Sequence, residues 1–123
     1  SSTLMGILAQ RLIRLLCPRC KEENTAMDAE TRAHYEIPDD MKIYRAVGCD
    51  YCSGTGYKGR TGIHELLVVD EEVQRLIHTN APETEIEKYA VKNLGMRTLR
   101  MDGLRWLRDG KTTIEEIISI TKE

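Results

Sequence analysis

The sequence predicts an α+β chain: short strands gathered around a four-cysteine module, followed by a small subdomain of four helices. Three observations carry that class. Four cysteines fall in two C-x-x-C pairs, Cys17/Cys20 and Cys49/Cys52. The run TGIHELLVV, Thr61 to Val69, sets Ile63, Leu67 and Val69 against His64, Leu66 and Val68, the alternation of a strand. From Asp70 onward the apolar period becomes helical, and capping residues recur.

The bounds are those of one small domain, or a domain with a satellite module, in 123 residues. Hydrophobic residues make up 41% and charged residues 31%, ordinary values for a globular chain. With no Phe and one Trp, the core must be aliphatic. A formal net charge of -2 implies neither a polyanion partner nor an acidic tail. No apolar run approaches the roughly 18 residues of a membrane span. No charged stretch precedes an apolar one as in a secretory signal, and the expectation is a piece of a longer protein.

Between Cys20 and Cys49 lie residues 21 to 48, a 28-residue excursion. Each C-x-x-C sets two thiolates on one side of a tight turn. Two such turns complete a closed tetrahedral site, with Zn–S distances of about 2.3 Å. Cys17, Cys20, Cys49 and Cys52 are therefore the expected ligands of one structural Zn2+. Two disulfides, or a redox C-x-x-C, are the competing readings. The first suits an oxidising compartment, and the second is normally a single motif opening a helix. The string CDYCSGTG also resembles the C-x-x-C-x-G-x-G repeat of the DnaJ-type chaperone zinc domain, which needs four copies. Arg19, Lys21, Lys58 and Arg60 flank the pairs and can offset the charge of a zinc–thiolate centre. Gly54, Gly56 and Gly59 allow the sharp turns that follow a knuckle.

Leu4, Ile7, Leu8, Arg11 and Leu12 fit a helical face, while Leu12 to Leu16 reads equally as a strand. Residues 21 to 40 are polar and predict a loop with one short helix. Met41 to Val47 alternates as a short strand. Asp70 caps the first C-terminal helix, whose buried stripe is Val73, Leu76 and Ile77, and Asn80 with Pro82 ends it. Thr84 with Glu87 forms a capping box for the second, closed by Gly95. The third runs from about Thr98 to Asp109, before Gly110; Gly103 within it suggests close packing. Thr113 with Glu116 opens the fourth, with Ile114, Ile117 and Ile118 inward. These helical stripes are expected to pack independently of the cysteine module.

On the third helix Met96, Leu99, Gly103, Trp106 and Leu107 fall on one side. Arg97, Arg105 and Arg108 fall on the other, with Asp102 and Asp109 diluting them. That face reads as solvated, or as a contact for an acidic partner surface. His34 and His78 read as surface residues and His64 as a structural one. No Ser/His/Asp set, H-E-x-x-H or G-x-x-x-x-G-K-[ST] loop is present, so the chain is expected to have no chemistry alone.

The stretches SSTLMGILAQRLIRLLCPRC, GCDYCSGTGYKGRTGIHELL and GMRTLRMDGLRWLRDGKTTIEEIISITKE together resemble the C-terminal part of the type II secretion and type IV pilus assembly ATPases. That resemblance implies a division into three parts. Residues 1–16 would end a RecA-like ATPase core, 17–60 would form the tetracysteine zinc-binding module, and 61–123 a mainly helical C-terminal subdomain. It implies a homo-hexameric motor in the cytoplasm, peripheral at the bacterial inner membrane. Such a motor uses ATP and Mg2+ in its full-length form and works on an inner-membrane platform protein, without nucleic acid and without direct membrane insertion. The family's phosphate loop would lie upstream of Ser1. Retraction ATPases of the same superfamily lack the cysteines. Between secretion and pilus assembly, TLRMDGL leans slightly to secretion. At such a domain boundary Arg60, on a rigid glycine corner, could approach nucleotide through its planar fork. The alternative class is a stand-alone zinc-ribbon module for protein or nucleic-acid interaction. It would predict a basic surface and aromatics near the knuckles, where only Tyr51 and Tyr57 qualify.

Overall fold

The computed structural model describes residues 5–121. Leu4 of the expected helical face, and residues 1–4 of the first expected segment, lie outside the described residues. The rest of that segment is a strand, β1 (Met5–Leu16), and not a helix. It pairs antiparallel with the long strand β4 (Tyr57–Val69), from Met5↔Val69 to Leu16↔Tyr57, with a bulge between Arg14 and Leu16. Local period cannot separate the two readings of MGILAQRLIRLL. A partner strand some 50 residues away decides it. β4 starts before Thr61, so it runs across the expected 60/61 boundary.

The excursion between the cysteine pairs holds three small elements: β2 (Glu22–Glu23), α1 (Ala29–His34) and β3 (Tyr44–Arg45). β2 pairs with β3, and Arg45 bonds Glu22 across the pair. The expected strand over residues 41–47 thus shrinks to two residues. Asp28 caps α1, its carboxylate accepting from Thr31 N–H at 2.8 Å.

Among the described residues four helices follow β4: α2 (Glu71–His78), α3 (Glu83–Asn93), α4 (Leu99–Arg108) and α5 (Ile114–Ile120). Asp70 caps α2 through Val73 N–H, as expected. Ile77 is 46% exposed and does not belong to the buried stripe, which is Val73 and Leu76. α3 begins two residues earlier than expected, with Pro82 at its N-cap, and Thr84 is not its cap. Pro82 holds the N-cap position without a side-chain cap bond, and its C=O accepts the first helical bonds, from Glu85 N–H and Ile86 N–H at 2.9 and 3.2 Å. Thr98 caps α4 and Thr113 caps α5. The reciprocal half of the α5 capping box is missing. Glu116 turns instead to β1, accepting from Arg14 N, Nε and Nη2 at 2.7, 3.1 and 2.9 Å.

The principal core is shared. Ile37 and Ile43 from the inter-cysteine excursion pack with Leu107 of α4 and with Ile114 and Ile117 of α5. Met27, Tyr35 and Met41 join from the same excursion. The expected independence of the helices from the cysteine module therefore does not hold: one apolar cluster serves both. Gly103 allows the α4–α5 approach, since a Cβ there would sit 3.1 Å from Ile117 Cγ1.

Asp102 fixes α4 to the ribbon. It is 5% exposed, and it accepts from His64 N–H of β4 at 2.8 Å and from Arg105 Nε at 3.0 Å. One residue on, Glu65 accepts from Leu99 N–H at the start of α4. Burial alone would raise the Asp102 carboxyl. The His64 N–H and the guanidiniums of Arg105 and Arg97 outweigh it and hold the group below its ordinary value of 3.8. A buried carboxylate with charged donors resists removal, because its donors are left without an acceptor. Asp102→Ala is expected to lower the stability read from a urea midpoint by about 2–3 kcal/mol near neutral pH. The carboxylate's contribution is complete above the unfolded pKa and is lost as pH falls through the lowered folded value. The gap between the two proteins should therefore close in acid; a gap of constant size down to about pH 2 would contradict this assignment.

Candidate metal centre

Two turns of chain bring the cysteines together. The first follows β1 directly, and the second precedes β4. The ribbon therefore fixes where both pairs meet, with Cys17 N–H bonded to Gly56 C=O at 2.9 Å. The four Sγ atoms lie within 4.8 Å of one another. Sγ–Sγ separations are 3.8 Å for Cys17–Cys49, for Cys20–Cys52 and for Cys49–Cys52. A tetrahedron with metal–sulfur bonds of about 2.3 Å has an edge of roughly 3.8 Å. The sulfurs are far beyond the roughly 2.05 Å of a disulfide, and all four cysteines are free. Cys17 and Cys52 are buried; Cys20 and Cys49 are partly so.

Backbone N–H groups point at the sulfurs. Gly48 N donates to Cys20 Sγ at 3.3 Å. Cys49 N and Gly56 N donate to Cys52 Sγ at 3.2 and 3.1 Å. Burial acts to raise both thiols. At Cys52 the two N–H donors outweigh it and bring the thiol down to about 6, while at Cys20 burial prevails and the thiol stands at about 11. Donors already aimed at a sulfur stabilise its anionic form, which is the form that binds metal.

Gly54, Gly56 and Gly59 have positive φ, as the sequence suggests. Close approach constrains Gly56 further, because a Cβ would come 2.6 Å from Ala46 Cβ. Gly48 was not anticipated. Its φ is 117°, and a Cβ would meet Gly54 O at 2.7 Å. The signal was its place directly before Cys49, where the chain must turn to present an N–H to sulfur.

The flanking cations divide their roles. Arg19 and Lys58 lie over the Tyr51 ring, at 3.9 and 4.7 Å from its centroid. Lys21 leaves the sulfurs and donates to Gly110 C=O at 2.7 Å, tying the knuckle to the α4–α5 corner. Arg60 is exposed on β4 opposite Arg14, and among the described residues it has no ion-pair partner. Arg14 is engaged by Glu116 and stacks 4.0 Å from the Tyr57 centroid. His64, His34 and His78 have exposed side chains away from the sulfurs. Asp102, which the sequence suggested only as a diluting surface charge, is the buried polar hub described above. No helix of the described residues is long and apolar enough to cross a membrane.

Comparison with known proteins bears on this arrangement. The family profile described as "Type II/IV secretion system protein" matches residues 1–119. The chain is 47% identical over 125 residues to the type II secretion system ATPase E of Vibrio cholerae, covering all of this chain and 24% of that protein. It is 42% identical over 123 residues to the type II secretion system protein HxcR of Pseudomonas aeruginosa, covering all of this chain and 23% of that protein. It is 43% identical over 127 residues to the type IV pilus assembly ATPase PilB of Thermus thermophilus, with 14% of that protein covered. The chain thus spans a quarter or less of the length of these relatives. The matched profile and these identities agree with the resemblance seen in the QRL, GRTGIHELL and GKTTIEEI stretches: the chain belongs to the type II/IV secretion system protein family.

Proposed function

We propose that this chain is the C-terminal, zinc-stabilised portion of a hexameric ATPase motor that powers type II secretion or, alternatively, type IV pilus assembly. The observation that carries the zinc part is the set of three 3.8 Å sulfur separations, the edge length of a four-thiolate zinc tetrahedron. The names of the relatives support the motor part. In this reading Cys17, Cys20, Cys49 and Cys52 hold one structural Zn2+. The ion cross-links the end of β1 to the start of β4 and performs no reaction step. ATP and Mg2+ would be bound by other parts of the full-length protein, on the cytoplasmic side of the inner membrane, where the motor would act on a platform protein.

β1 supports an extension of the sheet beyond this chain. Arg14 N–H and C=O point away from β4, to Glu116 and Thr112. By alternation Gly6, Leu8, Gln10 and Leu12 turn their backbone groups to that same outer edge. Met5, Ile7, Leu8 and Leu12 are 65%, 55%, 62% and 54% exposed, so apolar side chains stand on both faces. A strand apolar on both faces belongs inside a covered sheet. On this basis we propose that residues 1–16 end the ATPase core, with β1 (Met5–Leu16) as a strand of its sheet.

Metal analysis of the purified chain is expected to give about one zinc per chain, and cobalt substitution to give the absorption of tetrahedral thiolate coordination. Intact disulfides with no metal would contradict the assignment. Arg60, whose guanidinium has no partner among the described residues, is proposed to approach nucleotide in the assembled motor. Arg60→Ala in the intact hexamer is expected to weaken binding of a non-hydrolysable ATP analogue several-fold with zinc content unchanged. Equal affinities would leave Arg60 as a solvent-facing charge.

A further inference from the structure

A groove of about 400 Å³ runs along the outer edge of β4, between Leu66 and Val68 on the strand and Leu94, Met96, Arg97 and Arg105 on the helical side. His64 N–H points away from β1, to Asp102. Residues alternate along a strand, so Leu66 and Val68 present their N–H and C=O groups to the same side, further along. Among the described residues no hydrogen bond fills that side at Leu66 or Val68. Leu66 is 51% exposed. Arg97 and Arg105 both pair with the single carboxylate of Asp102, and each side chain is 52% exposed. Two guanidiniums share one negative charge, so the groove keeps a net positive charge beside an open strand edge and an apolar floor.

We propose that this groove receives an extended segment of a partner protein in which carboxylates alternate with apolar side chains. The segment adds as a strand to Leu66–Val68, with its carboxylates on Arg97 and Arg105. Main-chain hydrogen bonds supply affinity in such strand addition, and alternate side chains supply selectivity. Each feature selects against another occupant. A nucleic acid would use the cations but not the open backbone edge or Leu66. A second copy adding through its own open edge would bring β1, whose residues MGILAQRLIRLL include Arg11 and Arg14 and no carboxylate. Asp102 contributes by holding Arg105 and by fixing the register at His64, so that the first open position is Leu66.

The probe is a fluorescein-labelled hexapeptide of alternating glutamate and valine, titrated into the zinc-loaded chain and followed by anisotropy. The expected result is saturable binding with new amide-exchange protection at Leu66 and Val68. Arg97→Glu should weaken binding at least tenfold, and so should Leu66→Glu, which changes an exposed side chain and keeps the proposal testable should the first variant fold poorly. Methylating alternate backbone nitrogens of the peptide should abolish binding, and a lysine–valine peptide should not bind. Four results would overturn the proposal: no saturation, indifference to both substitutions, equal binding of the lysine peptide, or protection confined to residues 6–12 on the β1 edge.

Discussion

The structure depends on the chain returning to one point. β1 ends at Leu16 and β4 begins at Tyr57, and between them two cysteine turns meet with all four sulfurs inside 4.8 Å. Residues 21–48 leave that point and come back. Ordering a residue costs about 1–2 kcal/mol of backbone entropy. Within the excursion only Ile37 and Ile43 are buried apolar residues, each worth about 1.5–3 kcal/mol. Two isoleucines cannot order a segment of this length by themselves. A cross-link at its base removes conformational freedom from the unfolded segment and so lowers the cost their burial has to offset, which gives the four-sulfur site its structural purpose on the proposed reading.

The consequence runs outward from the knuckles. Ile37 and Ile43 are the roof over Leu107, Ile114 and Ile117, so the excursion completes the core of α4 and α5. Lys21 reaches Gly110 at the corner between those helices. Glu116 of α5 grips the backbone and guanidinium of Arg14 on β1, and Thr112 donates to Arg14 C=O. Asp102 and Glu65 close the other end, where α4 meets β4. Cysteine site, ribbon and terminal helices are thereby one mechanical unit.

Much of this was legible in local chemistry. Asp70, Thr98 and Thr113 act through side-chain oxygens on N–H groups three residues on, and Gly95 and Gly110 take the positive φ that ends a helix. The cysteine spacing pointed directly to a shared site. What escaped was non-local. β1 resembled a helix because its apolar residues satisfy both periods, and only the distant β4 selects one. Ile37 and Ile43 are isolated apolar residues in a polar stretch, and no periodic pattern announces that they roof another element. Asp102 looked like a surface charge because sequence carries no trace of the His64 N–H that draws it inward. Thr84 made a plausible cap, yet the helix starts two residues earlier, where the Pro82 C=O accepts its first bonds.

The excursion pinned by the four sulfurs and the terminal helices share one core. Hydrogen exchange on the chain before and after metal removal by a chelator reads that coupling. Protection in α4 and α5 should fall together with protection in residues 27–43, because Ile37 and Ile43 leave Leu107, Ile114 and Ile117 uncovered. Protection lost between residues 17 and 56 while α4 and α5 keep theirs unchanged would contradict it.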